Sequence, residues 1–189
     1  MGKLLKGAAA VLGLLTAAEA GGTAYFYRRT MKRYNAKIER TMKMSGVDWE
    51  KYFPLMHERH DWMMEQPHED VWITSHDGLK LHGTYFEGDG GDKAVICFHG
   101  YTSQGTNDYG SLSYYYLNHG FRMLLIDERA HGESEGTYIG FGTMDRLDGM
   151  EWIKWMIDKI GDDAQILLHG NSMGGATVCM MSGLKLPAQ

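Results

Sequence analysis

The sequence predicts an α/β protein: a mostly parallel sheet covered by helices on both faces, entered through an N-terminal hairpin and preceded by an apolar helix. Three observations carry this prediction. Ala94–Phe98 is a short, continuous apolar run bounded by turn residues, and Phe121–Ile126 and Ile166–Leu168 are further apolar strand segments, as strands buried on both faces are. Helix-compatible segments separate and follow them. Ahead of them, Val71–Ser75 and Leu79–Phe86 alternate about His76-Asp77-Gly78, which is the pattern of a hairpin.

The chain opens with a segment unlike the rest. Lys3 and Lys6 precede Gly7 to Tyr27, in which Glu19 is the single charge, and Arg28, Arg29, Lys32 and Arg33 follow. About 21 residues of helix rise roughly 32 Å, enough to cross a bilayer core. Tyr25, Phe26 and Tyr27 beside the basic cluster fit an interfacial belt. Residues 1–29 therefore read as a single-pass membrane anchor. The alternatives are a cleaved signal peptide, with Ala18-Glu19-Ala20 as its A-x-A-like site and a secreted product, and a soluble amphipathic helix. The basic cluster after the apolar stretch favours a cytoplasmic domain and the short basic start favours the reverse, so the side of the membrane stays open.

Residues 30–70 are charged and Met-rich, and Tyr34, Ile38 and Met42 recur at helical spacing, which predicts a helical connector. Residues 71–189 form the globular part. After the hairpin, Gly88 to Asp92 turns the chain into the first buried strand, which ends at His99-Gly100. Tyr109–Asn118 reads as a helix closed by Gly120. The middle strand ends at Asp127, and a polar, Gly-rich loop runs to Gly142. Thr143–Ile160 is helical by periodicity, with Met144, Leu147, Trp152, Trp155, Met156 and Ile160 as its inner face and Gly161 as its stop. The third strand spans Gln165 to His169, and a helix from Met173 to Gly183 follows.

Composition excludes several functions. The formal charge is −5, which gives no footprint for nucleic acid. Cys97 and Cys179 sit in apolar segments and read as buried, inert thiols, with no Cys or His partner at metal-ligand spacing. The His residues are scattered without HxxxH or HExxH pairing. No metal site and no cofactor is expected.

The chemistry concentrates at Gly170-Asn171-Ser172-Met173-Gly174, a G-x-S-x-G pattern. In a chain with 25 glycines the pattern alone is weak, but here a strand directly precedes it and a helix-compatible run directly follows. A sharp turn at that junction lifts the serine hydroxyl clear of the sheet, and small flanking residues let backbones pass closely. The serine also faces the positive end of the following helix, which favours a developing oxyanion. His99-Gly100-Tyr101-Thr102 ends the first buried strand, where a backbone N–H would complete an oxyanion hole with that of Met173. His99 itself reads as a structural histidine of the turn. Asp127-Glu128-Arg129-Ala130-His131-Gly132-Glu133-Ser134 supplies its own counter-charges and reads as a loop brace.

HGYTSQ, DERAHGESEG and GNSMGG, in that order and each after an apolar strand, resemble the α/β-hydrolase superfamily. They are most similar to its serine-aminopeptidase/esterase-like branch, which includes bacterial hydrolases with an N-terminal apolar leader. The similarity runs from about Val71 to the C-terminus. It implies Ser172 as nucleophile, the backbone N–H groups of Tyr101 and Met173 as oxyanion donors, and a structural role for Asp127 to Ser134.

In that superfamily the acid and the His follow the serine. Met173 to Gln189 contains no Asp, Glu or His. A serine hydroxyl without an adjacent base is a poor nucleophile. The third strand would also leave an open apolar edge. The expectation is an incomplete hydrolase sheet, its C-terminal strands missing, in a truncated and inactive chain. A natural short pseudo-enzyme and a base borrowed from an upstream His or another chain are the alternatives. The function expected of the full-length form is hydrolysis of an ester, thioester or amide in a small-molecule or peptide acyl substrate, through an acyl-serine intermediate. An acyltransferase, or a non-catalytic membrane-tethered binding module on the same scaffold, is the competing reading.

Overall fold

The computed structural model describes residues 2–33, 48 and 50–188, which fall into two compact units, 1–32 and 33–189. The spacing of Tyr34, Ile38 and Met42 lies outside the described residues.

The first unit is one helix, α1 (Gly2–Met31), ending in Arg28 and Arg29. Cations there complement the negative end of the helix dipole. Lys6–Met31 is long and apolar enough to span a membrane, and it is the one such helix among the described residues. Its position near the N-terminus suits an anchor or a signal sequence equally.

The second unit begins with α2 (Phe53–Glu65), started by Pro54 in its first turn. The hairpin follows as β1 (Glu69–Thr74) and β2 (Lys80–Phe86). Then come β3 (Lys93–Phe98), α3 (Gly105–Asn118), β4 (Arg122–Ile126), α4 (Asp145–Ile160), β5 (Gln165–Gly170) and α5 (Met173–Met181). The sheet order is β1-β2-β4-β3-β5. Pairings β1/β2 and β2/β4 are antiparallel, and β3/β4 and β3/β5 parallel, so the sheet is mixed and its parallel part is β4-β3-β5.

Period-2 alternation divides the core in two. On one face Ala94, Ile96, Phe98, Leu124 and Ile126 pack against Trp152, Ile153 and Met156 of α4 and Met181 of α5. On the other Val95, Cys97, Met123 and Leu125 pack against Tyr109 and Tyr116 of α3 and Met63 of α2. Helix α2 belongs to this layer: its Trp62 meets Tyr114 at 4.8 Å between ring centroids, and Arg59 lies over the same ring at 3.7 Å.

The structure departs from the sequence-based expectations at five places. Helix α3 starts at Gly105, four residues before Tyr109, because its first turn is polar and packs by backbone: a Cβ on Gly105 would lie 2.9 Å from the Ile126 carbonyl. Helix α4 starts at Asp145, and its first turn buries Asp145 and Asp148 where Met144 and Leu147 were expected. Those carboxylates accept bonds from the Gly142 N–H and from Arg129, which apolar side chains there could not do. Helix α5 ends at Met181, two residues short of Gly183. Strand β5 pairs with β3 alone, and its Leu167 is 44% exposed rather than buried on both faces. Cys97 is fully buried and burial pushes its thiol well above the ordinary range, whereas Cys179 is exposed on α5.

Candidate active site

Because β3, β4 and β5 run parallel, their C-terminal ends deliver three loops to one edge of the sheet. These are the turn His99–Gln104, the loop Asp127–Gly142 and the turn at Asn171–Ser172.

Ser172 sits between β5 and α5 with φ 52° and ψ −108°. This conformation lies outside the basins open to residues with a Cβ, and it throws the side chain outward, where it is exposed. The turn is pinned to the neighbouring strand. Asn171 N–H donates to the Phe98 carbonyl at 2.9 Å, and Gly174 N–H to the His99 carbonyl at 3.0 Å. Only glycine fits at the two flanking positions. A Cβ on Gly170 would collide with the Gly174 carbonyl, and one on Gly174 with the Phe98 carbonyl.

The structure brings the second expected element against the first. A Cβ built on Gly100 would lie 3.5 Å from Cβ of Ser172. Asp108, in the first turn of α3, ties the two turns together. It accepts from Gly100 N–H at 2.6 Å, from Ser103 Oγ at 2.5 Å and from Asn171 Nδ2 at 3.1 Å. Hydrophobic periodicity gave no signal for this residue; an acid in the first turn of a helix was the available one. Beside the serine, Met173 packs with Ala130 and Ile139 against Tyr101 and Phe141, whose rings stack at 5.2 Å. This small core underlies the site, with the half-buried Tyr101 and Phe141 as its outer members.

The loop after β4 is a brace. Asp127 bonds His82 Nδ1 at 2.8 Å and Glu133 N–H at 3.0 Å. Burial alone would raise its carboxyl, but these bonds outweigh it and hold it below the ordinary value. Burial likewise opposes a charged His82, yet the contacts with Asp127 and Asp70 raise its imidazole. Arg129 makes two bonds of 2.6 Å to Asp148 and two of 3.0 and 3.1 Å to Asp77. His76, Asp77 and Asp148 bring ligand atoms within 4.8 Å of one another, the spacing of a cation site. The Arg129 guanidinium already engages both carboxylates there, which opposes a further cation.

The imidazoles around the site are engaged elsewhere. His99, fully buried, donates through Nδ1 to the Gly100 carbonyl at 2.7 Å and accepts Glu128 N–H at Nε2, 3.0 Å away. His131 contacts the Arg129 carbonyl and Thr102 N–H, and His169 contacts the Tyr116 hydroxyl. Burial lowers all three, His131 to about 4. Among the described residues no hydrogen bond reaches the Ser172 hydroxyl.

Comparison with known proteins gives this geometry a context. Residues 93–188 match the alpha/beta hydrolase fold family. The esterase Pf2001 of Pyrococcus furiosus is similar in structure, with a TM-score of 0.59 and 32% identity over 66% of this chain and 50% of that one. The α/β-hydrolase GrgF of Penicillium sp. sh18 shares the fold, with a TM-score of 0.58 and 24% identity over 63% of this chain and 42% of its own. In sequence, the uncharacterized protein YqkD of Bacillus subtilis (strain 168) is 28% identical over 113 residues, 59% of this chain and 36% of that protein. The chain thus spans about half the length of the esterase and about a third of the curated relative. Half of the chain, including every element that positions Ser172, lies within the family match: the chain belongs to the α/β-hydrolase fold family.

Proposed function

We propose that this chain carries the nucleophile and the oxyanion hole of a serine hydrolase that cleaves esters, thioesters or amides. The observation that carries the reading is the backbone of Ser172, held at φ 52° and ψ −108° against the Gly100–Tyr101 turn. Strained backbone that the surrounding contacts over-determine is characteristic of functional turns.

In this reading the Ser172 hydroxyl oxygen adds to the acyl carbonyl carbon. The charge that develops on the carbonyl oxygen is received by the N–H groups of Tyr101 and Met173, the latter at the positive end of α5. The hydroxyl proton passes to a base that is not His82, His99, His131 or His169, since their ring contacts lie elsewhere. Collapse of the tetrahedral intermediate expels the alcohol, thiol or amine and leaves an acyl-serine, which water then hydrolyses. The esterase Pf2001 at 32% identity supports an ester substrate ahead of an acyl acceptor other than water. The half-buried Tyr101 and Phe141 rings suit an apolar acyl group. Helix α1 supports delivery to a membrane, as an anchor or a cleaved leader.

The test is a fluorophosphonate probe on the full-length protein. Labelling that disappears in Ser172→Ala is the expected result. A folded, full-length protein that takes no label would refute the enzymatic reading and favour a binding module on the same scaffold.

A further inference from the structure

We propose that His131 is a positioning residue that holds the Tyr101–Thr102 peptide and so fixes the Tyr101 Cα from which the oxyanion donor projects. The inference rests on the hydrolase reading above and goes beyond it, by assigning a function to a loop that otherwise reads as a brace.

The argument starts from peptide geometry. Each peptide unit is planar, so in a trans unit the N–H points opposite to the carbonyl. No cis peptide occurs among the described residues, and the two units flanking the Tyr101 Cα are Gly100–Tyr101 and Tyr101–Thr102. In the first, the Gly100 carbonyl accepts from His99 Nδ1 at 2.7 Å and from Ser103 N–H at 3.1 Å. With its carbonyl held on that side, the Tyr101 N–H is directed to the other. In the second, Thr102 N–H donates to His131 Nε2 at 3.2 Å. Both planes are therefore set by side chains or turns outside Tyr101 itself.

The two imidazoles form a reciprocal clasp. His99, on the turn after β3, bonds its own turn through Nδ1 and accepts from Glu128 N–H of the other loop through Nε2. His131, on the loop after β4, bonds its own loop at the Arg129 carbonyl (3.0 Å) through Nδ1 and accepts from Thr102 of the other turn through Nε2. A carbonyl can only accept, so Nδ1 carries the proton in each ring and Nε2 the lone pair. The rings meet edge to face, 4.7 Å between centroids at 72°. Arg129, whose carbonyl orients His131, is itself clamped by Asp77 and Asp148.

Thr102 shows what the clasp holds in place. It has φ 55°, an unfavourable conformation for a β-branched residue, and its buried Oγ1 has no hydrogen-bond partner among the described residues. Without the bond to His131, that residue has reason to relax, and relaxation rotates the peptide that follows Tyr101 and shifts the Tyr101 Cα that carries the donor N–H.

The experiment compares His131→Leu, which removes the acceptor, with His131→Gln, whose Oε1 restores one, in the full-length protein. With p-nitrophenyl acetate, His131→Leu is expected to lower kcat about 10- to 100-fold with KM within about twofold, as loss of transition-state stabilisation does. His131→Gln is expected to recover most of the loss. Amide exchange at Thr102 should accelerate at least about tenfold in His131→Leu relative to wild type. Unchanged Thr102 protection, a kcat within about twofold of wild type, a loss confined to KM, or a Gln variant no better than Leu each overturn the proposal. A wild-type protein without a reactive Ser172 refutes the hydrolase reading instead, and Thr102 exchange still decides whether the clasp exists.

Discussion

Replacing Ser172 by Gly and, separately, by Ala separates the strain of the turn from the chemistry of the hydroxyl. At φ 52° and ψ −108° the residue occupies the mirror image of the β region. Holding a residue with a Cβ there costs roughly 1–3 kcal/mol, and Gly enters it about as readily as the ordinary β region. Ala keeps the Cβ and therefore the strain. Gly removes the strain but makes the unfolded chain more flexible, which costs roughly 0.5–1 kcal/mol. Since the Ser172 side chain is exposed, few other contacts change. Ser172→Gly should therefore be more stable than Ser172→Ala by about 1 kcal/mol, a rise in Tm of about 2–4 °C for a domain of this size. Urea and thermal unfolding of the two variants side by side give the comparison, with fluorophosphonate labelling lost in both. A Gly variant no more stable than the Ala variant would show that the turn stores no strain, and the reasoning from backbone to nucleophile would fail with it.

Two further outcomes follow from the brace behind the site. Arg129→Met leaves Asp148 buried beside Asp77 with only the His76 imidazole at 3.8 Å to face it, and should cost about 3–5 kcal/mol in urea unfolding. A loss under about 1 kcal/mol would mean that the ion pair is solvated in solution. His131 faces the His99 ring, Asp127 and Arg33, and burial holds its folded-state value at about 4 against 6.5 when unfolded. A lowered imidazole means that the unfolded state binds the proton first, so stability is complete above pH 6.5 and falls as pH drops toward 4, by at most about 3 kcal/mol. His131→Leu should flatten that part of the pH–stability curve, and a variant with an unchanged acid slope would contradict it.

How much of this was legible in the sequence follows from which forces each element uses. The strands were, since Ala94–Phe98 and Met123–Ile126 are short apolar runs, bounded by turn residues, of the kind that a two-sided sheet buries. The Gly-flanked serine was legible too, because close backbone passage at Gly170 and Gly174 admits no other residue. The first turns of α3 and α4 were not. They are held by polar groups: Asp108 to two turns, and Asp145 and Asp148 to Gly142 and Arg129. Such partners are distant in sequence and carry no periodicity. The exposure of Leu167 and Cys179 was equally hidden, since composition does not reveal which neighbour a strand or helix has. His131 could be placed in a bracing loop, but its contact with Thr102, 29 residues away, needed coordinates.

The serine turn hangs on β3 and the turn after it: Asn171 donates to the Phe98 carbonyl that ends β3 and Gly174 to the next one, at His99, the same backbone that continues into Gly100 and Tyr101. Strand pairing is thus the ruler of the site. A slip of one residue between β5 and β3 would move the hydroxyl about 3.3 Å along the sheet and turn β5 over, whatever the side chains do. In the proposed mechanism, the distance between attacking oxygen and oxyanion donor is copied from a ladder of backbone bonds. That distance depends on the register of the ladder more than on the side chains around it.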